Sequence, residues 1–217
     1  MNLVQYIRSL FAREDEVLRS IADGLADRGM PQISVPPETG KTLYLLAKIC
    51  GATNILEIGA LGGYSTIWLA RALPEEGRLV SLELKEEHAA FARENVDRAG
   101  VGELVEFRIG DAMELLEALE VDGASFDFIF IDADKKRYVE YLERAIRLAR
   151  PGAVISADNV IRGGRVCDES DRTSSTEAIR RFNETLSRDS RLESMILPVG
   201  DGLAVARVCQ TGKNASA

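Results

Sequence analysis

Histidine is almost missing from this sequence: His88 is the only one among 217 residues. That removes the commonest zinc ligand and the usual base of hydrolytic triads, so chemistry built on imidazole has next to no material. Cysteine is nearly as scarce. Cys50, Cys167 and Cys209 are odd in number and lack C-x-x-C spacing. They exclude a disulfide framework and fit buried or partly buried thiols in a reducing cytoplasm. No apolar run approaches the ~20 residues that a membrane span requires. The start, Met1-Asn2-Leu3-Val4-Gln5-Tyr6-Ile7-Arg8, has no apolar centre followed by a small-residue cleavage site, so no secretory signal is expected. Positive charge is in deficit, with 27 Lys and Arg against 35 Asp and Glu and a net charge of −8. Such a balance opposes generic binding to phosphate backbones, although Lys135-Lys136-Arg137 and the stretch from Arg162 to Arg165 can each form a local basic patch.

What is present is ordinary for a globular protein. Length suits one domain, expected over 1–209 with an N-terminal helical extension over about 1–30. The polar, small-residue stretch 210–217 reads as a fraying tail. Its Asn214-Ala215-Ser216 matches a glycosylation sequon, a chance match in a cytoplasmic protein. Helical spacing opens the chain, through Val4, Ile7, Leu10 and Phe11 and then Val17, Leu18, Ile21 and Leu25. Three prolines between Met30 and Pro37 break it, and a helix is expected from about Glu38 to Cys50.

Strands and helices then alternate. Strands are predicted at Asn54–Ile58, Arg78–Leu82, Leu104–Ile109, Phe126–Ile131 and Ala153–Ala157. Helices are predicted near Tyr64–Ala72, Glu86–Ala99, Ala112–Leu119 and Lys136–Ala149. Strands this apolar, separated by helices, indicate a parallel sheet covered on both faces, hence an α/β fold. A further helix near Thr176–Ser187 precedes Leu192–Leu197 and Leu203–Val208, which the turn Val199-Gly200-Asp201-Gly202 should join as an antiparallel hairpin.

The strand ends carry the chemistry. The first closes as Glu57-Ile58-Gly59-Ala60-Leu61-Gly62-Gly63-Tyr64-Ser65, where glycines allow a sharp turn and close approach of a ligand. Glu83 closes the second strand and is placed to accept the two hydroxyls of a ribose. Asp111 closes the third, where an adenine edge commonly lies. A dinucleotide enzyme wants G-x-G-x-x-G, which Gly59-Ala60-Leu61-Gly62-Gly63 does not match, and Glu57 would repel a pyrophosphate. S-adenosylmethionine has no phosphate and carries two cationic groups, so it tolerates Glu57. A methyltransferase is the reading.

The fourth and fifth strands end as Ile129-Phe130-Ile131-Asp132-Ala133-Asp134-Lys135 and Val154-Ile155-Ser156-Ala157-Asp158-Asn159. Asp132, Asp158 and Asn159 offer only oxygen ligands, which suits Mg²⁺, with Ca²⁺ or Mn²⁺ as alternatives, rather than zinc. Asp134 reads as structural. A phenol has a pKa of ~10, so ionising it at pH 7 costs roughly 4 kcal/mol. A divalent cation lowers that cost, and Lys135 stands where an amine could take the proton. Alone, Lys135 would be an ordinary solvated lysine at a helix start, and Asp158-Asn159 an ordinary turn. Together they read as a metal site with a base.

These residues resemble the metal-dependent class I O-methyltransferases, the group of catechol O-methyltransferase and caffeoyl-CoA O-methyltransferase. The resemblance runs from about Ser34 to Val208. It is most specific in Val35-Pro36-Pro37-Glu38-Thr39-Gly40-Lys41, Glu57 through Ser65, Phe130 through Lys135, Asp158-Asn159 with Gly163-Gly164, and the closing Pro198-Val199-Gly200-Asp201-Gly202-Leu203. It implies a Rossmann-like, seven-stranded, mostly parallel sheet with a reversed last strand, S-adenosylmethionine as donor, and a homodimer. Carried onto matching positions, Asp132, Asp158 and Asn159 are the metal ligands and Lys135 the base. Val35, Glu57, Gly59, Gly63, Ser65, Glu83, Ala112 and Asp132 are cofactor contacts, with Asp111 a looser match.

Two departures bear on the substrate. Where many members carry a tryptophan after the Asp-Asn block, this chain has Arg162, and the insertion that gates coenzyme A esters in plant enzymes is missing. A small free catechol is therefore expected rather than a thioester. Arg162 or Arg165 could pair with a carboxylate on a phenolic acid, or be a solvated loop arginine. Two rival functions remain at this point: methylation of a hydroxylated wobble uridine in tRNA, and a non-catalytic S-adenosylmethionine-binding regulator.

Overall fold

Apolar runs that stop at a glycine or an acid become the strands of a single sheet in the computed structural model. It describes residues 1–209; the tail, with the Asn214 sequon, lies outside the described residues. The strands are β1 (Asn54–Ile58), β2 (Arg78–Glu83), β3 (Val105–Ile109), β4 (Phe126–Ile131), β5 (Ala149–Ala157), β6 (Leu192–Leu197) and β7 (Leu203–Val208). Their order is β3-β2-β1-β4-β5-β7-β6. The first five pair in parallel, and β7 runs antiparallel to both β5 and β6. The expected hairpin and the reversed last strand are both present.

Near-continuous apolar sequence follows from burial on both faces. In β1, Ile55 enters one core while Leu56 and Ile58 enter the other; in β4, Phe128 and Phe130 oppose Ile129 and Ile131. The first core is roofed by α2 (Glu16–Asp27), α3 (Pro37–Ile49), α4 (Tyr64–Ala70) and α5 (Glu86–Arg98), which supply Leu18, Leu43, Ile67 and Phe91. The second is roofed by α6 (Ala112–Val121), α7 (Tyr138–Leu148) and α8 (Ser174–Arg188), through Leu116, Leu142 and Phe182. In labelling order α1 (Leu3–Phe11) comes first, and it buries none of its side chains.

Several boundaries differ from expectation, most of them by a residue or two, and three differences have a visible cause. The N-terminal helical spacing resolves into two helices, because Asp15 caps α2 by accepting the Leu18 amide. The strand expected from Ala153 begins at Ala149. Ala149 pairs with Phe126, then the register shifts before Val154 meets Phe128, an irregularity that accommodates Pro151 with its missing donor. The helix expected from Lys136 begins at Tyr138, after a 3₁₀ turn over Lys135–Arg137 whose start is capped by Asp134.

From β1 the chain steps outward to β2 and β3, then returns to β4 on the other side. That reversal opens a crevice at the carboxyl ends of β1 and β4, the usual ligand position in an open α/β sheet. The loops stay hydrogen-bonded one residue past each strand. The Gly59 amide donates to Leu82 at 2.8 Å, Asp132 to Ile58 at 2.9 Å and Asp158 to Ile131 at 3.1 Å. The backbone of each functional loop is therefore fixed by the sheet itself.

Candidate active site

A cleft of about 780 Å³ occupies this crevice, within the range of small-molecule sites. Val35, Gly59, Ser65, Glu83, Asp111, Ala112, Asp132, Lys135 and Asn159 all line it. Glu57, Gly63 and Asp158 stand behind its wall.

Glu57 is wholly buried under the start of α4. Its carboxylate accepts the hydroxyls of Ser65, Thr66 and Ser81, each at 2.6 Å. Burial pushes its pKa up to about 7 against the pull of those hydroxyls, and the Asp132 charge adds to the rise. Its link to the cleft runs through Ser65. Glu83 accepts the amides of Ala60 at 3.1 Å, Leu61 at 2.9 Å and Lys85 at 3.0 Å. It thus braces the glycine turn while facing the cleft. Asp111 caps α6 through the Met113 amide and pairs with Arg137 at 2.7 Å, and these contacts hold its carboxyl below the usual range. Gly63 has φ +81° and starts α4; a Cβ there would come within 3.1 Å of Ala92 on α5. Its requirement for glycine comes from this left-handed backbone together with helix packing.

At the other half, β4 and β5 are neighbours and bring Asp132 and Asp158 together. Asp158 is 1% exposed. Its Oδ2 accepts the Asn159 side-chain amide at 2.9 Å, while its Oδ1 is buried with no hydrogen-bond partner. Burial and the Asp132 charge push its pKa up to about 7. A buried carboxylate oxygen without a partner is unfavourable and calls for a cation or a proton. Among the described residues no cluster of three or more His, Cys, Asp or Glu side chains has metal-holding geometry, and the side chains available to an ion here are Asp132, Asp158 and Asn159. The all-oxygen set fits a hard divalent cation. Lys135 Nζ donates to Asp132 Oδ1 at 2.6 Å and to the Tyr138 hydroxyl at 2.7 Å. Tyr138, fully buried, donates in turn to the Asp158 carbonyl at 3.0 Å.

Sequence reasoning passed over two of these residues. Tyr138 follows Lys135 at a spacing of three, which puts both on one side of the turn, but it reads as a core aromatic. Asp201 lines the cleft and accepts the Gly163 amide; it reads as a hairpin-turn acid. A third signal is backbone strain. Leu61, Asn159 and Arg162 are the non-glycine residues with positive φ among those described, at 48°, 59° and 56°, and all three line the cleft. Strained backbone concentrated at one cavity is a mark of function.

Comparison with known proteins gives the family. The sequence profile of the O-methyltransferase family matches residues 8–209. The chain is 50% identical over 209 residues to a catechol O-methyltransferase of Niastella koreensis, covering 94% of this chain and 95% of that one. It is 43% identical over 208 residues to a catechol O-methyltransferase of Mycobacterium tuberculosis, covering 94% and 93%. An O-methyltransferase from Bacillus cereus, solved in complex with SAH, superimposes with a TM-score of 0.88 at 43% identity, covering 94% of this chain and 96% of that one. The chain belongs to the O-methyltransferase family and is a class I, S-adenosylmethionine-dependent enzyme.

Proposed function

We propose that the enzyme methylates one hydroxyl of an ortho-dihydroxy phenol, with a divalent cation, Mg²⁺ first among the candidates, held by Asp132, Asp158 and Asn159. The observation that carries this reading is the orphaned, buried Oδ1 of Asp158 beside Asp132 and Asn159, with Lys135 Nζ 2.6 Å from Asp132. The catechol O-methyltransferase names of two similar proteins support the acceptor class.

When bound, the cation supplies positive charge that makes a phenol hydroxyl easier to ionise, and S-adenosylmethionine supplies the methyl group as a sulfonium. The rest is done by the protein. Lys135 Nζ takes the phenol proton, Asp132 Oδ1 receives the resulting ammonium charge, and the Tyr138 hydroxyl fixes Nζ between the two. On the donor side, Glu83 faces the ribose hydroxyls with Oε1, whose lone pairs are occupied by one amide alone, that of Lys85. Val35, Gly59, Asp111 and Ala112 complete that wall, and Glu57 acts through the Ser65 hydroxyl. Alignment of acceptor oxygen and methyl carbon is the main source of rate.

Incubating the protein with S-adenosylmethionine, a panel of catechols and undermodified tRNA, with and without EDTA, tests this. Catechol methylation abolished by EDTA and restored by Mg²⁺ is expected. Turnover indifferent to chelator would remove the metal from the reading, and methylation of tRNA alone would replace the acceptor.

The working unit in this proposal is a cytoplasmic homodimer. All three cysteines are unpaired, and no helix among the described residues is long and apolar enough to cross a membrane. Leu3, Val4, Tyr6, Leu10 and Phe11 of α1 are exposed on a helix tethered to α3 by Arg8 and Glu38 at 3.0 Å, an apolar surface that a second copy would cover. Sedimentation velocity at micromolar concentration should give twice the 23.8 kDa chain mass; a monomer there would discard the dimer.

A further inference from the structure

Arg162 is the cation of the cleft that has no carboxylate to answer it. The other lining cations are engaged: Lys135 with Asp132 at 2.6 Å, Arg137 with Asp111 at 2.7 Å, and Lys85 with Glu87 at 3.9 Å. Arg162 forms no ion pair among the described residues. The only hydrogen bond of its side chain among the described residues is a long one, from Nη2 to the Ser175 hydroxyl at 3.3 Å, and its Nε is buried without any partner. A guanidinium presents five donors in a rigid fork, so most of its capacity is unused.

The loop that carries it is built to hold it still. Arg162, Gly163 and Gly164 are all left-handed, a conformation no arginine adopts without being held there. Asp201 anchors one side by accepting the Gly163 amide, and its carbonyl accepts the Ile161 amide at 2.9 Å. Arg180 straps the other side by donating to the carbonyls of Val166 at 3.0 Å, Arg165 at 2.9 Å and Asp171 at 2.7 Å, and also to that of Asp168. Arg165 is a different case. It is exposed, is not part of the cleft wall, donates to the Arg162 carbonyl and lies 3.9 Å from Asp171.

Resting on the catechol reading above, we propose that Arg162 is a specificity-determining residue that binds an anionic substituent of the acceptor, and that preferred acceptors are ortho-dihydroxy aromatic acids with a free carboxylate. The carboxylate would fill the empty fork in a charge-assisted, two-pronged contact while the two hydroxyls lie toward Lys135. Asn159 and Arg162 are three residues apart on one loop and both face the cleft, so one small molecule can meet both.

The experiment compares 3,4-dihydroxycinnamate with its methyl ester, which has the same ring and hydroxyls but no charge. In the wild-type enzyme the acid should have a kcat/KM at least roughly 10-fold above the ester, as a charged hydrogen bond of ordinary strength implies, carried mainly in KM. Arg162→Gln should erase that preference, Arg162→Lys should keep part of it, and Arg165→Gln should leave it in place. Wild-type enzyme that methylates both compounds equally would overturn the role of Arg162 without any variant having to fold. A preference that survives in Arg162→Gln would do the same. Failure to methylate either compound would instead overturn the catechol reading itself.

Discussion

Lys135→Ala is expected to lower catechol turnover by roughly 10²- to 10⁴-fold, the usual contribution of a positioned general base. Asp158→Ala should lose at least as much, because it removes the one donor whose burial leaves no substitute. Cofactor binding should survive both changes. In the proposed arrangement Lys135 and Asp158 serve the acceptor, whereas Glu83, Asp111 and the Ser65–Glu57 pair serve the donor, and none of the hydrogen bonds of that second group involves Lys135 or Asp158. Titration calorimetry with S-adenosylhomocysteine therefore separates lost chemistry from lost folding. A Lys135→Ala enzyme that keeps more than a tenth of its turnover would exclude Lys135 as the base. An Asp158→Ala enzyme still stimulated by Mg²⁺ would exclude Asp158 as a ligand.

Gly59→Ala should be the most damaging single-atom addition in the donor half. Gly59 has φ +101°, and a Cβ there would sit 2.2 Å from the Asp132 carbonyl oxygen. That oxygen belongs to backbone held in place by the sheet, so no flexible side chain can yield. Overpacking of this kind costs about 1–3 kcal/mol, and the positive φ adds to it. For a chain of this length the melting temperature should fall by roughly 2–4 °C for each kcal/mol. Any relief that moves Asp132 also moves the neighbour of Lys135, so turnover should drop together with cofactor affinity. Gly29→Ala is the matched control: φ is +64° and nothing lies within 4 Å of its Cβ. Equal loss of stability in the two variants would show that the close approach to Asp132 is irrelevant and that only backbone strain counts.

Much of this arrangement could be read from residue order. Apolar runs set β1 and β4 at the expected bounds, because burial on both faces leaves few polar residues inside a central strand, and the glycine turn that joins β6 to β7 set that pair. The acids at strand ends were legible for the same reason: the first polar residue after such a run marks the sheet edge. Depth was not legible. Glu57 and Glu83 look alike in sequence, yet one is sealed beneath α4 and the other faces the cleft, since depth is decided by which helix crosses above. Gly63 resembles Gly59 in the same turn but is needed for α5, an element two dozen residues away. Tyr138 and Asp201 were missed because an aromatic in an amphipathic helix and an acid in a glycine turn both have sufficient local explanations. Only the meeting of separate loops gives them work at the site. The irregular start of β5 was hidden by Pro151-Gly152, which locally signals a loop.

The three left-handed residues at the cleft imply a trade between robustness and activity. Leu61 and Arg162 each hold a conformation that costs an ordinary side chain about 1–2 kcal/mol, and Asn159 holds it at a smaller cost. Together that is a substantial share of the roughly 5–15 kcal/mol by which a domain of ordinary stability stays folded. Glycine would relieve the strain at each position, so a search for heat-resistant variants should recover glycine at Leu61 or Arg162. Such variants would be hardier, with poorer recognition of the donor where Leu61 is replaced and of the acceptor where Arg162 is replaced. If the proposed role of Arg162 holds, the wall of this cleft is where the fold has given up durability in exchange for discrimination.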